Sequence, residues 1–309
     1  MVEHLFGGPW TEIKLDAVQY YLECYAKALT PKKFDLWYID AFAGTGDRIE
    51  TRKIGGLLEG VPESTVTETL AGSARRALQV KPPFQHFIFN EMNAARRAAL
   101  QKILIENPDR DIEILDADAN AALRQIFGRS SWAFKDQGKA RGVVFLDLYA
   151  LQVDWDTLTL LAETRAIDVW YLFPLRDVTR QLAIRKSGIG PKEPKMDKVL
   201  GPEWRDLYSL PPPSVDLFPT DLFGTPPDAA KEERKATQMQ IEEWFRSRLQ
   251  GIFGYASEPL PLLRGNSRHA FSLFLAVANR GAPAINLAKH FHKYVMGRFG
   301  PASHQMSGL

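Results

Sequence analysis

The chain has 309 residues, of which 45% are hydrophobic and 25% are charged, a balance that is typical of globular proteins and excludes an intrinsically disordered one. Its formal net charge of +2 is too small to indicate nucleic-acid binding by itself, and its single cysteine, Cys24, excludes an internal disulfide framework. Because the start of the chain lacks the pattern of a signal peptide and no apolar run approaches the roughly 18 residues of a membrane span, we expect a soluble, cytoplasmic protein with no membrane association.

Helices and strands alternate through the first half of the chain. Apolar residues at helical spacing predict an amphipathic helix over residues 14–29, with Thr11 as its cap and Pro31 after its end. Apolar runs predict five strands, with a helix between each successive pair. The strands are predicted at residues 34–40, 84–90, 111–115, 141–147 and 167–173, and the helices at 73–80, 93–105, 120–127 and 155–163. Residues 47–70 show little periodicity, so we expect a loop there.

The strands are mostly continuous apolar runs, which is typical of a parallel sheet that is covered on both faces. Right-handed crossovers then predict an α/β, Rossmann-like, doubly wound and mostly parallel sheet. The organisation changes near Arg185, because nine prolines between Gly188 and Pro227 exclude one regular helix or a central strand there.

We therefore predict three parts in the chain. Residues 1–185 would form a cofactor-binding core, and residues 186–260 a proline-rich insertion with a charged helix over 231–250. Residues 261–309 would complete the core with a strand over 271–278 and a helix over 283–296.

A glycine turn, with the sequence DAFAGTG, follows the first predicted strand at residues 40–46. Glycine lets the backbone approach a ligand closely, and ligands of such sheets bind at the carboxyl ends of the strands, beside the switch point. A dinucleotide-binding turn usually has a third glycine, where this chain has Ile49. Its absence favours S-adenosylmethionine, whose sulfonium would gain from the negative charge of Asp40.

Four successive strands carry a carboxylate at the same edge of the predicted sheet: Asp40, Glu91, Asp118 and Asp147. Glu91 could accept hydrogen bonds from two ribose hydroxyls. Asp118 could accept one from the exocyclic amine of an adenine, with Ala119 flat beside the ring. Asp147 would face the reacting group of a substrate. Each carboxylate alone also fits a helix cap or a solvated turn residue, but all four together predict a binding site.

Several segments together resemble the three-Cys-motif partner proteins (TcmP). They are residues 40–46 (DAFAGTG), 72–78 (GSARRAL), 87–91 (FIFNE) and 145–155 (FLDLYALQVDW), and residues 10–15 and 167–174 also fit. The resemblance covers about residues 10–180. It implies a methyltransferase-like Rossmann fold of the class I type and a genomic partner that carries a three-cysteine motif and is often radical-SAM-like. The predicted contacts of the S-adenosylmethionine cofactor are Asp40, Phe42, Ala43, Gly44, Gly46, Glu91, Asp118 and Ala119.

The predicted catalytic residues are Asp147 and Tyr149. Related proteins have Asp-Pro-Phe/Tyr-Gly where this chain has DLYA at residues 147–150. In amino-group methyltransferases the polar side chain holds the target amine while the aromatic ring stacks on the base. Leu148 lacks the fixed φ of proline, so this arrangement would be less preorganised here.

Three functions remain open from the sequence. The first is an S-adenosylmethionine-dependent methyltransferase acting on a nucleic acid amine, the second a methyltransferase for a protein or a small molecule, and the third a non-catalytic cofactor-binding partner subunit. In the first, a basic cluster would contact phosphates. The cluster consists of Arg185, Lys186, Lys192, Lys195 and Lys198. No metal site is expected, since His290 and His292 point to different faces of a predicted helix.

Overall fold

The structure is a computed structural model that describes residues 9–56, 61–128, 132, 139–148, 150–209, 233–264 and 268–300. The strands are β1 (Asp35–Asp40), β2 (Asp47–Gly56), β3 (Val61–Ala71), β4 (His86–Asn90), β5 (Asp111–Leu115), β6 (Ala140–Leu146), β7 (Ile167–Phe173), β8 (Tyr208–Ser209), β9 (Glu233–Arg234), β10 (Tyr255–Ala256), β11 (Leu260–Arg264) and β12 (Arg268–Val277). The helices are α1 (Pro9–Leu29), α2 (Ser73–Leu78), α3 (Ala94–Glu106), α4 (Ala119–Phe127), α5 (Trp155–Glu163), α6 (Leu175–Gln181), α7 (Glu193–Leu200), α8 (Gln238–Ile252) and α9 (Ala282–Phe299).

The main sheet has the strand order β10–β12–β7–β6–β1–β4–β5, and β11 also pairs with β12. The strands from β7 to β5 along this order are parallel, whereas β12 runs antiparallel to β7. After β1 the chain builds β4 and β5 on one side and then returns to build β6 and β7 on the other. The switch point therefore lies between β1 and β6, and the predicted Rossmann-like, doubly wound fold class is confirmed.

Helices cover both faces of the sheet, and each face has its own apolar core. Helices α1, α2, α3 and α9 pack on one face and α4 to α8 on the other. Strand β7 is buried along its whole length and serves both cores. Trp170 and Leu172 enter the first core, while Val169, Tyr171 and Phe173 enter the second, as the two-residue period of a strand requires.

Residues 47–70 are predicted as a loop, but the described residues 47–56 and 61–70 instead lie in β2 and β3, which pair as a two-stranded antiparallel hairpin. The prediction was wrong because it relied on hydrophobic alternation alone. The segment is rich in β-branched residues, among them Thr51, Ile54, Thr65 and Val66, and such residues favour strands.

The helix boundaries show two further differences. Helix α1 already begins at Pro9, so Thr11 lies inside it and does not cap it. The charged helix α8 begins at Gln238, where Thr237 and Gln240 form a capping box whose spacing is visible in the sequence. In α8, Phe245 stacks on Phe173 of β7 with ring centroids 4.1 Å apart.

The division of the chain into three parts stays a prediction. None of the helices in the described ranges is long and apolar enough to cross a membrane.

The turn after β1 depends on two glycines. Gly44 and Gly46 have φ values of +62° and +74°, and the Gly46 amide donates to the carbonyl of Ala43 at 3.1 Å. A Cβ on Gly46 would lie 2.2 Å from Cδ1 of Ile103 in α3, whereas nothing lies within 4 Å of a Cβ on Gly44. Gly46 therefore serves both the turn and the packing of α3, while the space above Gly44 is open.

This difference between the two glycines predicts unequal costs of substitution. We expect Gly44→Ala to lower the free energy of unfolding by about 1–2 kcal/mol, which is the cost of a left-handed backbone for alanine. Gly46→Ala should lower it by about 1–3 kcal/mol more, because its methyl group also overpacks against α3. Urea denaturation of both variants measures this, and equal costs would contradict the packing role of Gly46.

Candidate functional site

Asn90, at the end of β4, joins the carboxyl ends of three neighbouring strands. Its side-chain amide donates to the carbonyls of Ala41 at 3.1 Å and Ala117 at 3.0 Å, and its side-chain oxygen accepts from the Ala117 amide at 3.3 Å. Its backbone carbonyl accepts from the Ala43 amide at 3.0 Å. The loops after β1, β4 and β5 therefore lie together. Sequence reasoning missed Asn90, because an asparagine at a strand end has the pattern of an ordinary turn residue.

Asp40 lies inside the protein beneath the glycine turn, with none of its surface exposed. Its carboxylate accepts hydrogen bonds from the Phe42 amide at 3.0 Å, from the hydroxyl of Tyr38 at 3.4 Å and from that of Ser73. The pKa of Asp40 is raised to about 7, chiefly by burial and also by the charge of Asp147, while the hydrogen bonds from Ser73 and Phe42 oppose the rise. Asp40 thus supports the turn from below, and Ser73 at the start of α2 joins that helix to it.

Glu91 and Asp118 each order the backbone that follows their strand. The Glu91 carboxylate accepts from the Asn93 amide at 2.7 Å. Asp118 is the N-cap of α4, where its Oδ1 accepts from the amides of Asn120 and Ala121. Both described bonds of Asp118 use the same oxygen, so Oδ2 retains its capacity to accept from a ligand.

Ala119 is buried at the start of α4, and Phe42 is half-buried in the turn after β1. Their roles as cofactor contacts stay predictions, as do those of the other predicted contacts.

Asp147, just after β6, forms an ion pair with Lys14 of α1. The Lys14 Nζ lies 2.6 Å from each of the two carboxylate oxygens. The side chain of Lys14 is 4% exposed and that of Asp147 is 26% exposed. The residue predicted to hold a substrate amine therefore already holds an amine of its own chain, and this partner was not predicted.

Aromatic rings and further ion pairs fix the position of Lys14. Its ammonium lies 5.3 Å from the ring centroid of Trp10 and 5.8 Å from that of Phe145, distances that permit cation–π attraction. Arg76 of α2 forms ion pairs with Glu12 and Asp16 on either side of Lys14 in α1. The first turns of α1 are thereby held at the carboxyl edge of the sheet.

The loop that follows Asp147 is anchored by Asn120 of α4. The side-chain amide of Asn120 donates to the Gln152 carbonyl at 2.8 Å. Its oxygen accepts from the Asp154 amide at 2.9 Å and the Thr157 hydroxyl at 2.8 Å. Leu148, which replaces the proline of related motifs, is buried, and Tyr149 lies outside the described residues. The roles of Asp147 and Tyr149 in catalysis stay predictions.

The predicted basic cluster is partly neutralised by acidic residues. Arg185 lies 3.6 Å from Glu233, and Lys198 lies 3.3 Å from Asp154. Among the described residues, no group of three or more metal-ligating side chains is close enough to hold an ion. His292 is buried and burial lowers its pKa, while His290 is exposed.

The fold is similar to that of LPL1258, a DUF519 protein from Legionella pneumophila, with a TM-score of 0.50 and 11% identity over 96% of this chain and 94% of that chain. At this identity the similarity shows the fold alone. The putative methyltransferase yhhF from Escherichia coli gives a TM-score of 0.28 with 16% identity over 50% of this chain and 69% of that chain, which is too low to establish a shared fold. No family model and no curated protein matches the sequence, so the resemblance to TcmP stays a prediction.

The buried carboxyl of Asp40 predicts a pH-dependent stability. Its pKa rises from 3.8 to about 7 on folding, so between these values the native protein keeps a proton that the unfolded chain has released. Stability should therefore fall as pH rises through this window, by up to about 1.4 kcal/mol per pH unit. We expect Asp40→Asn to remove that fall, as measured by urea denaturation at a series of pH values.

Asp168 offers a matched comparison at the opposite edge of the sheet. It is buried, accepts a hydrogen bond from Tyr21 at 2.6 Å, and has a pKa that burial raises to about 7. Asp168→Asn should remove its own share of the pH dependence, and the two changes together should remove both shares. A pH dependence that is unchanged in Asp40→Asn would contradict the burial of this carboxyl in protonated form.

The ion pair at the site predicts an asymmetry between its two partners. Asp147→Ala leaves the buried ammonium of Lys14 unpaired and should cost about 3–5 kcal/mol. Lys14→Met leaves Asp147 partly in water and should cost about 1 kcal/mol or less. Because the double variant has no stranded charge, it should regain most of the stability lost in Asp147→Ala. A double-mutant cycle in urea measures this, and a larger cost for Lys14→Met would refute the asymmetry.

Proposed function

We propose that the protein is an S-adenosylmethionine-dependent methyltransferase that acts on a nucleic acid amine. The observation that carries the proposal is the convergence of the loops after β1, β4 and β5 on Asn90, beside the switch point, where the charges of Asp40 and Asp147 interact. Ligands of doubly wound sheets bind at this point.

The residues at this edge suit the chemistry of the proposed cofactor. Gly44 leaves the space above the turn open, and Glu91 and Asp118 offer acceptors for ribose hydroxyls and for an adenine amine. Asp40, with its pKa near 7, becomes ionised most readily when a cation lies close to it, as the sulfonium would. When bound, S-adenosylmethionine supplies an electrophilic methyl group that is lost from a sulfonium.

Asp147 has the chemistry needed to hold an amine. Its carboxylate accepts N–H donors, as its 2.6 Å contacts with the Lys14 ammonium illustrate. A substrate amine in this place would attack the methyl carbon as the carbon–sulfur bond breaks, and the methylated amine would then release a proton. Alignment of the amine with that bond supplies most of the rate enhancement in such a displacement. The same arrangement would serve an amine of a protein or a small molecule.

A non-catalytic, cofactor-binding partner subunit of a three-Cys-motif protein is the second candidate. Two observations favour it: Lys14 occupies both carboxylate oxygens of Asp147, and Leu148 stands where related motifs have proline. Such a subunit would bind the cofactor without transferring its methyl group.

Cofactor binding and methyl transfer separate these proposals. S-adenosylmethionine at about 100 times its Kd should stabilise the folded protein by about 2.7 kcal/mol, which thermal unfolding detects. Glu91→Ala should reduce this shift, while Gly251→Ala, on an open helix position, should not. The absence of any shift in the wild type at millimolar-order ligand would rule out both candidates.

Labelled methyl transfer to total RNA, DNA or a co-purified partner protein then tests catalysis. The double change Asp147→Ala, Tyr149→Ala should abolish transfer and leave the thermal shift intact. Tyr149→Phe, which keeps an aromatic ring for stacking, should retain most of the activity. A shift without transfer to any acceptor would favour the partner subunit.

A further inference from the structure

Helix α9 carries an unbalanced positive charge. Its residues 282–299 include Lys289, Lys293 and Arg298 and contain neither aspartate nor glutamate. These three cations, +3 in total, exceed the formal net charge of +2 of the whole chain. Helix α9 therefore carries a local excess of positive charge.

The cations of α9 differ in their partners from the two arginines of α8. Arg246 and Arg248 of α8 are paired with Glu243 and Glu203. Within the part of the chain that the structure describes, Lys289, Lys293 and Arg298 form no ion pair. Lys289 instead lies over the ring of Tyr255, and Arg298 over that of Phe299.

An exposed aromatic ring lies among these charges. Tyr294 is 54% exposed, and its ring lies edge-on to His290 with centroids 4.9 Å apart. A shallow hollow of about 400 Å³ opens over Gly297, which has no side chain, and is lined by His290, Lys293, Tyr294 and Arg298. Basic groups interleaved with an exposed ring suit a nucleotide strand, since phosphates pair with the cations and a base stacks on the ring.

Helix α9 runs toward the edge of the sheet that holds the candidate site. Because β12 is antiparallel to β7, α9 begins at the amino edge of the sheet and returns toward the carboxyl edge, alongside α1. Tyr21 of α1 contacts Phe291, and Tyr20 interacts with Tyr294 and Arg298. Tyr20 is six residues beyond Lys14, a rise of about 9 Å along the helix. The basic face thus ends close to the edge that holds Asp147.

We infer that the outward face of α9, formed by Lys289, His290, Lys293, Tyr294 and Arg298, binds the backbone of a single-stranded nucleic acid. This inference deepens the proposed function and rests on it for the link to methylation, although the binding itself does not need the cofactor. A membrane surface fits less well, because an interfacial helix exposes its apolar face to lipid. The apolar face of α9 is buried against α1 and β12 through Ala288 and Val295.

Salt-dependent binding tests the inference without any cofactor. The probe is a fluorescein-labelled single-stranded RNA of about 20 nucleotides, with DNA of the same sequence as a second arm, followed by fluorescence anisotropy. The test variant is Lys293→Gln, Arg298→Gln. The control variant is Lys32→Gln, Lys102→Gln, which removes the same charge from exposed positions elsewhere.

Between about 50 and 200 mM KCl, the test variant should lower the slope of log affinity against log salt by about 1.4, or about 0.7 for each lost phosphate contact. The control should leave the slope unchanged. Tyr294→Ala should weaken binding about tenfold at constant slope, and Tyr294→Phe should restore it.

Equal slopes for the test and control variants would overturn the inference, as would the absence of RNA and DNA binding by the wild type. Binding to vesicles with anionic lipid in place of nucleic acid would also overturn it. Loss of nucleic-acid binding in the test variant together with an intact thermal shift by S-adenosylmethionine keeps this inference distinguishable from failure of the proposed function.

Discussion

The burial of one ammonium group constrains the candidate site more than any other feature. Lys14 is almost entirely withdrawn from water, and a buried, unpaired charge would cost several kcal/mol. Its partner Asp147 is 133 residues away in sequence, at the end of β6. The pair can form only when α1 packs along the sheet and β1 and β6 lie side by side. The charge balance of the site therefore depends on the whole topology.

The ion pair also belongs to one of two sets of contacts that hold the loops at the carboxyl edge of the sheet. Asn90 holds the loops after β1, β4 and β5 together, whereas Lys14 and Asn120 hold the loop after β6. Asp40 lies between these two groups, buried and close enough to Asp147 for their charges to interact. A cation that enters beside Asp40 would favour its ionised form, so cofactor charge and local stability are coupled through this carboxyl.

The sequence was sufficient for the parallel half of the sheet, because buried parallel strands are continuous apolar runs. The predicted bounds of β5 and β7 agree with the structure residue for residue. The sequence was insufficient to predict the hairpin of β2 and β3, because the content of β-branched residues was the only indication of strands there. For the site, carboxylates at strand ends could be read from the pattern, but their partners could not. Neither Lys14 on an amphipathic helix nor Asn90 at a strand end differs locally from a solvated residue.

The contact of Lys14 with Asp147 affects how Asp147 could act in catalysis, and the spacing of residues in the sequence could not predict this contact. A residue that holds a substrate amine must exchange its existing partner for that amine, or accept both. Each carboxylate oxygen has two lone pairs, so Asp147 can accept an additional N–H donor while Lys14 stays in place. Lys14 would then neutralise the carboxylate and fix its orientation. In related motifs, proline fixes the orientation through the φ angle of the backbone. The exchange of proline for Leu148 and the presence of Lys14 are thus compatible with one another, because an ion pair can supply the orientation that the backbone no longer imposes.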